Sequence, residues 1–158
     1  MKKSERMEVF AEGLRTAGTV SEFDPCYLGY FECFNQGRYY EAHDVLEHLW
    51  LKDRRGSPDY RYYKGLIQLA GGFVHLKLQH ENPSHPKHGR RMRPARRLFL
   101  LAIENLSPYA PYHRGMSLSF PLELAGRFAV LIEEGCFQQN PWAPEEAPKL
   151  PFPADPKI

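Results

Sequence analysis

Apolar residues recur every three to four positions through most of this chain, the spacing of a buried helical face, and no stretch reads as a strand by alternation. The pattern predicts an all-α fold: one compact bundle of five or six helices with a proline-rich C-terminal tail. Residues 4–17 form either a short helix, capped by Ser4, stopped by Gly18 and presenting Met7, Phe10 and Leu14, or a loosely attached arm. Asp24 followed by Pro25 is a stronger start, because an acidic cap and a proline at the first helical position suit the free amides there. That helix runs to about Asn35 with Leu28, Phe31 and Phe34 on its stripe, and Gly37 marks a tight turn.

The next helix spans about Arg38 to Lys52. At roughly 100° per residue, Tyr39, Ala42, Val45, Leu46, Leu49 and Trp50 share one apolar arc, with Glu41, Asp44 and His48 opposite. His43 and Glu47 fall at the edge of the arc. Ser57 and Pro58 are expected to start a third helix from Asp59 to about Gln79, with Leu66, Leu69, Ala70, Phe73 and Val74 inward. Its other stripe, Arg61, Lys64, Gln68, Gly72, His75 and Gln79, reads alone as a solvated face. Gly65, Gly71 and Gly72 argue otherwise, since each costs about 1 kcal/mol against alanine inside a helix, and close approach of another backbone would explain them.

Residues 80–93 read as a loop. A fourth helix, Pro94 to Leu106, is expected to bury Ala95, Leu98, Leu101, Ala102 and Leu106, and a last one, Pro121 to Glu134, to bury Leu124, Phe128, Leu131 and Ile132. Six prolines in the last 18 residues predict an extended tail, wrapped on the surface or mobile. The expected division is an arm or short helix over 1–20, a bundle over 21–136 and a tail over 137–158.

Composition narrows this only slightly. With 158 residues and 42% hydrophobic content the chain can bury one core without staples, and a net charge of +2 selects no class of partner. Three cysteines without a paired spacing argue against a disulfide framework and for a reducing compartment. No apolar run approaches the roughly 20 residues that cross a bilayer, and the N-terminal residues lack the apolar stretch of a secretory signal. The expectation is a cytoplasmic protein without membrane contact.

The blocks FNQGRYYEAHDVLEHLW and KGLIQLAGGFVHL, in that order, closely resemble the domain of unknown function 309 family of small bacterial and archaeal helical proteins. PARRLFLLAIENLSPY and YHRGMSL resemble its later helices, so that the resemblance covers roughly residues 27–134. It implies a compact bundle in which the helix bearing EAHDVLEHLW packs near the one bearing GLIQ, and it implies no particular activity. The polar positions of the family correspond to Glu41, His43, Glu47, Trp50, Gln68 and His75. Two departures stand out. Asp44 replaces a common glutamate, and a longer basic loop ending in Arg93, Pro94 and Ala95 replaces a short Gly-Ala entry into the fourth helix.

His43 and Glu47 lie one helical turn apart, so they can meet or share one ligand. A histidine and a carboxylate at that spacing, beside a second helix carrying His75, is how metal sites in bundles are built. The expected ligands of a divalent ion, zinc, manganese or iron, are His43, Glu47 and His75. Glu47 and Gln68 are the expected catalytic groups of a metal-dependent hydrolase or small-ligand site, Gln68 by holding substrate or water; seven residues, a rise of roughly 10 Å, keep it from sharing an ion with His75. Glu41, Tyr39 and Trp50 are candidate ligand contacts. The plainer reading makes His43, Glu47, Gln68 and Tyr39 a satisfied buried network that fixes helix packing. A different class of function rests on Lys87, Arg90, Arg91, Arg93, Arg96 and Arg97: a binding module whose basic loop clamps an anionic ligand or nucleic acid. A homodimer through the third helix or the tail is a further expectation that sequence alone leaves open.

Overall fold

The computed structural model describes residues 23–53 and 56–154, so the expected helix over 4–17 lies outside the described residues. Within them the fold is all-α, as the periodicity predicts. Five α-helices run in the order α1 Pro25–Asn35, α2 Tyr39–Lys52, α3 Tyr60–Glu81, α4 Met92–Leu106 and α5 Ser119–Glu134, with short 3₁₀ turns at Ser107–Tyr109 and Pro144–Glu146. Asp24 caps α1 as its sequence suggests: the carboxylate accepts from the Cys26 amide at 2.8 Å, with Pro25 next to it.

Phe73, in the middle of α3, ties the bundle together. Its ring meets Phe34 of α1, Tyr39 of α2, Phe99 of α4 and Phe128 of α5 at centroid distances of 5.5, 5.2, 5.0 and 4.8 Å. Rings at such spacings pack at well above the area they bury, by about 0.5–1.5 kcal/mol per pair. α1 lies deeper than a one-face helix: Tyr27, Tyr30, Phe31, Cys33 and Phe34 are all buried. Two of its hydroxyls find partners inside, Tyr30 donating to the Leu66 carbonyl at 2.6 Å and Tyr27 to the Arg114 carbonyl at 2.8 Å. Burial pushes the Tyr30 and Tyr27 hydroxyls far above the ordinary tyrosine range, so both stay protonated donors. Burial likewise raises the Cys33 thiol to about 11.

The glycines of α3 mark a close approach, but what approaches is side chains of α4 and not its backbone. A Cβ on Gly65 would stand 2.7 Å from Leu106 Cγ, and one on Gly72 would stand 2.7 Å from Phe99 Cζ. The stripe that reads as solvated is therefore an interface: Arg61 donates to Asn105 Oδ1, Asn105 donates to Gln68 Oε1 at 2.7 Å, and the Arg91 amide donates to Gln79 Oε1 at 2.7 Å. Side-chain amides line the contact because each finds a partner across it.

Several expectations shift by a turn or a face. Ser57 does not cap α3; Asp59 holds the cap position, and its carboxylate serves His113 and Arg114 instead of the helix amides. α4 begins at Met92, which leaves Pro94 in the first turn, where its missing N–H costs nothing. Phe99, not Leu98 or Leu101, is fully buried there, because it fills the space left by Gly72; Leu98 and Leu101 are half-buried. On α5, Leu131 is exposed at 37%.

The link before α5 contains a small antiparallel hairpin, β1 Tyr112–His113 and β2 Met116–Ser117, pairing Tyr112 with Ser117 and His113 with Met116. Its turn residues, Arg114 and Gly115, both have positive φ, 44° and 76°, as a tight primed hairpin turn demands. Two-residue strands are too short to leave an alternating pattern, which is why the periodicity misses them. Past α5 the chain wraps on the bundle. Trp142 and Leu150 are buried, Trp142 Nε1 donates to Tyr39 Oη at 3.0 Å, and the Asn35 amide both donates to and accepts from the Leu150 backbone at 2.8 and 2.7 Å.

Candidate functional site

α2 is oriented by its apolar arc, with Tyr39, Ala42, Val45 and Leu46 buried against neighbouring helices. The edge of that arc carries Tyr40, His43, Glu47 and Trp50 at steps of three and four residues, one continuous stripe. His43 Nε2 lies 3.3 Å from Glu47 Oε2, as the one-turn spacing predicts, and Nδ1 lies 3.1 Å from Asp44 Oδ1. Each of the three side chains offers a ligand atom within 4.8 Å of the others. His43 is 30% exposed, Glu47 25% and Asp44 only 10%, so the cluster opens to solvent through its histidine and glutamate.

The tautomer of His43 matters here. A neutral imidazole has one N–H and one lone pair. With a carboxylate at each nitrogen, it donates to one and opposes the other lone pair to lone pair. A metal ion at one of the two nitrogens removes that opposition. The helical wheel sets Asp44 on the side opposite the apolar arc, yet its residue exposure is 7% and the His43 ring lies against it. Sequence adjacency to His43 is the signal that identifies it.

The other expected residues fall elsewhere. His75 is not a member of this cluster; its Nδ1 lies 3.3 Å from Arg91 Nη1 on the side of α3 that faces α4. Burial, reinforced by the Arg91 charge, holds the His75 pKa below the usual histidine value. Because a guanidinium only donates, Nδ1 accepts and the His75 proton sits on Nε2. Gln68 is held by Asn105. Tyr39 is a core ring paired with Trp142, and Glu41 is exposed, 3.9 Å from Arg38. Trp50 packs on Tyr60 with centroids 5.1 Å apart, and its buried Nε1 has no hydrogen-bond partner among the described residues. Arg90 is exposed, Arg91 reaches both His75 and His88, and Arg93 lies over the Phe137 ring at 4.3 Å.

A second polar cluster joins the start of α3 to the hairpin. Asp59 accepts from Arg114 Nε at 2.7 Å and contacts His113 Nε2 at 2.7 Å, while the His113 ring packs against Tyr62 and Tyr109. Partial burial opposes ionisation of Asp59, but the bonds from Arg114 and His113 outweigh it and lower its pKa. The sequence separation of 54 between Asp59 and His113 hides this pairing from any spacing rule. Among the described residues no helix is long and apolar enough to cross a membrane.

Comparison with known proteins agrees with the EAHDVLEHLW and GLIQ blocks. Residues 27–85 match the model of a family described as domain of unknown function (DUF309). The matched segment covers most of α1 and all of α2 and α3 and contains His43, Asp44, Glu47, Gln68 and His75; it ends before Arg90, Arg91 and Arg93. No curated protein and no solved structure matches the chain significantly. Through the helices that carry the candidate site, residues 27–85, the chain is similar to the DUF309 family.

Proposed function

We propose that the protein binds a divalent metal ion at His43, Asp44 and Glu47 and uses it in hydrolysis of a small substrate. One observation carries this reading: a single imidazole facing a carboxylate with each ring nitrogen, at 3.1 and 3.3 Å. An ion taking one nitrogen and one carboxylate leaves the other nitrogen to donate to the second carboxylate, the arrangement that orients histidine ligands in metal sites. With ligands from only one helix, coordination positions stay open to water and substrate, and a bound divalent ion lowers the pKa of its water toward the neutral range. Gln68 and His75 have partners of their own in Asn105 and Arg91 and are not needed for this site. A cytoplasmic location belongs to the same proposal, supported by the three cysteines being thiols.

The low exposure of Asp44 favours a second reading, in which the three side chains are a hydrogen-bonded network that steadies α2. Elemental analysis of untagged protein, incubated with zinc, manganese and iron, separates the two. Near-stoichiometric metal in the parent, lost in His43→Ala and Glu47→Ala variants that still melt cooperatively, supports the metal site and justifies a hydrolase screen. A metal-free parent, with both variants less stable, leaves the network.

A further inference from the structure

Beyond that site, the groove between α3 and α4 contains an open depression of about 530 Å³ lined by His75, Arg93, Pro94, Arg97, Leu98 and Leu101. Its volume falls in the range of about 300–1,000 Å³ typical of small-molecule sites. Its walls differ in character. Pro94, Leu98 and Leu101 form an apolar side, at steps of four and three along α4, while Arg93 and Arg97 sit one turn apart beside them.

The two arginines are not neutralised. Arg96, next to Arg97, is paired with Glu133, its Nε donating at 2.6 Å. Arg93 and Arg97 have no carboxylate partner among the described residues; Arg93 lies over the Phe137 ring. Like charges one turn apart repel by a few tenths of a kcal/mol, and an anion held between them reverses the sign of that interaction. His75 adds a neutral donor, since its Nδ1 is taken by Arg91 and its proton lies on Nε2.

We propose that this depression binds a small organic oxyanion, a carboxylate or phosphate monoester bearing an alkyl or aryl group, with its head on Arg93, Arg97 and His75 and its body on Pro94, Leu98 and Leu101. Neither half suffices alone. Inorganic phosphate lacks the apolar body, a neutral alcohol lacks the charge, and a nucleic-acid backbone would leave the apolar wall uncovered.

Calorimetric titration of the full chain with hexyl phosphate, inorganic phosphate and hexanol tests the assignment. The expected result is saturable one-to-one binding of hexyl phosphate, weakened about tenfold or more by Arg97→Gln, the loss of one charge-assisted contact. Leu101→Asn should weaken it too, while Arg90→Gln, an exposed arginine outside the depression, should leave it unchanged. Arg97 is exposed, so its variant is expected to fold, and melting curves check this. Failure of hexyl phosphate to saturate, equal affinity for hexanol or inorganic phosphate, or equal weakening by Arg90→Gln overturns the proposal. A single-stranded RNA that displaces hexyl phosphate at lower concentration overturns it in favour of a phosphate-backbone surface. Each of these outcomes is independent of metal at His43.

Discussion

The edge of α2 and the groove between α3 and α4 are two polar regions built in opposite ways. On α2, an acid-rich cluster comes from residues 43, 44 and 47 of a single helix, and its His43–Glu47 contact follows from the one-turn spacing. Along α3 and α4, basic and amide side chains meet across sequence separations of 16 to 44 residues, and their geometry depends on how the two helices pack. The first region should survive damage to packing that leaves α2 helical. The second should not.

Phe99→Ala is the strongest test of that difference. Deleting a fully buried ring against Phe73 and Phe128 is expected to cost about 3–5 kcal/mol. In a variant that remains folded, hexyl phosphate binding should fall while metal occupancy at His43 stays at the parental level; equal loss of both would show that the regions are coupled. Gly72→Ala acts at the same contact from the other side. The added methyl overlaps the Phe99 ring and should destabilise by about 1–3 kcal/mol. Gly126→Ala on α5, where nothing lies within 4 Å of the new Cβ, should instead be neutral or stabilising by up to about 1 kcal/mol. Denaturant midpoints that rank the two alanines alike would contradict the close-approach account of α3.

A smaller effect sharpens the comparison through pH. His75 in the folded protein has its pKa below the ordinary value of 6.5. Above 6.5 the ring is neutral in both states and carries no penalty. As pH falls below it, the unfolded chain takes up a proton that the folded chain refuses, so stability declines until the folded pKa is reached and then levels off. His75→Gln should flatten that part of the stability profile in denaturant titrations run across the window, and an unchanged slope would remove His75 as a contributor. Asp59 has the same sign at lower pH: its bonds to Arg114 and His113 stabilise above the ordinary carboxylate value of 3.8 and are lost as pH falls through its depressed pKa.

Legibility divides along the same line. Helical angle places His43 and Glu47 on one stripe, and the structure has them in contact. The same angle misplaces Asp44, because a wheel assigns faces and does not report what leans against them. Gly65 and Gly72 reveal that something approaches α3, but their spacing cannot name Leu106 and Phe99 as the approaching groups. His75 reads as a partner for His43 only while its neighbour is unknown; once α4 lies in place, Arg91 takes its Nδ1. The tail shows a similar limit, since six prolines predict extension and not the seats found for Trp142 and Leu150.

By itself, then, the amino-acid order determined the helices of the described bundle, the cap on α1, and the pairing of His43 with Glu47, all of which depend on interactions within about one turn. Tertiary structure alone decided that Phe99 rather than Leu98 fills the core, that the Asp59 carboxylate clasps the hairpin instead of the α3 amides, and that Arg93, Arg97 and His75 border one depression. Those outcomes turn on which surfaces exclude water from one another, a property of pairs of helices that no single stretch of chain contains.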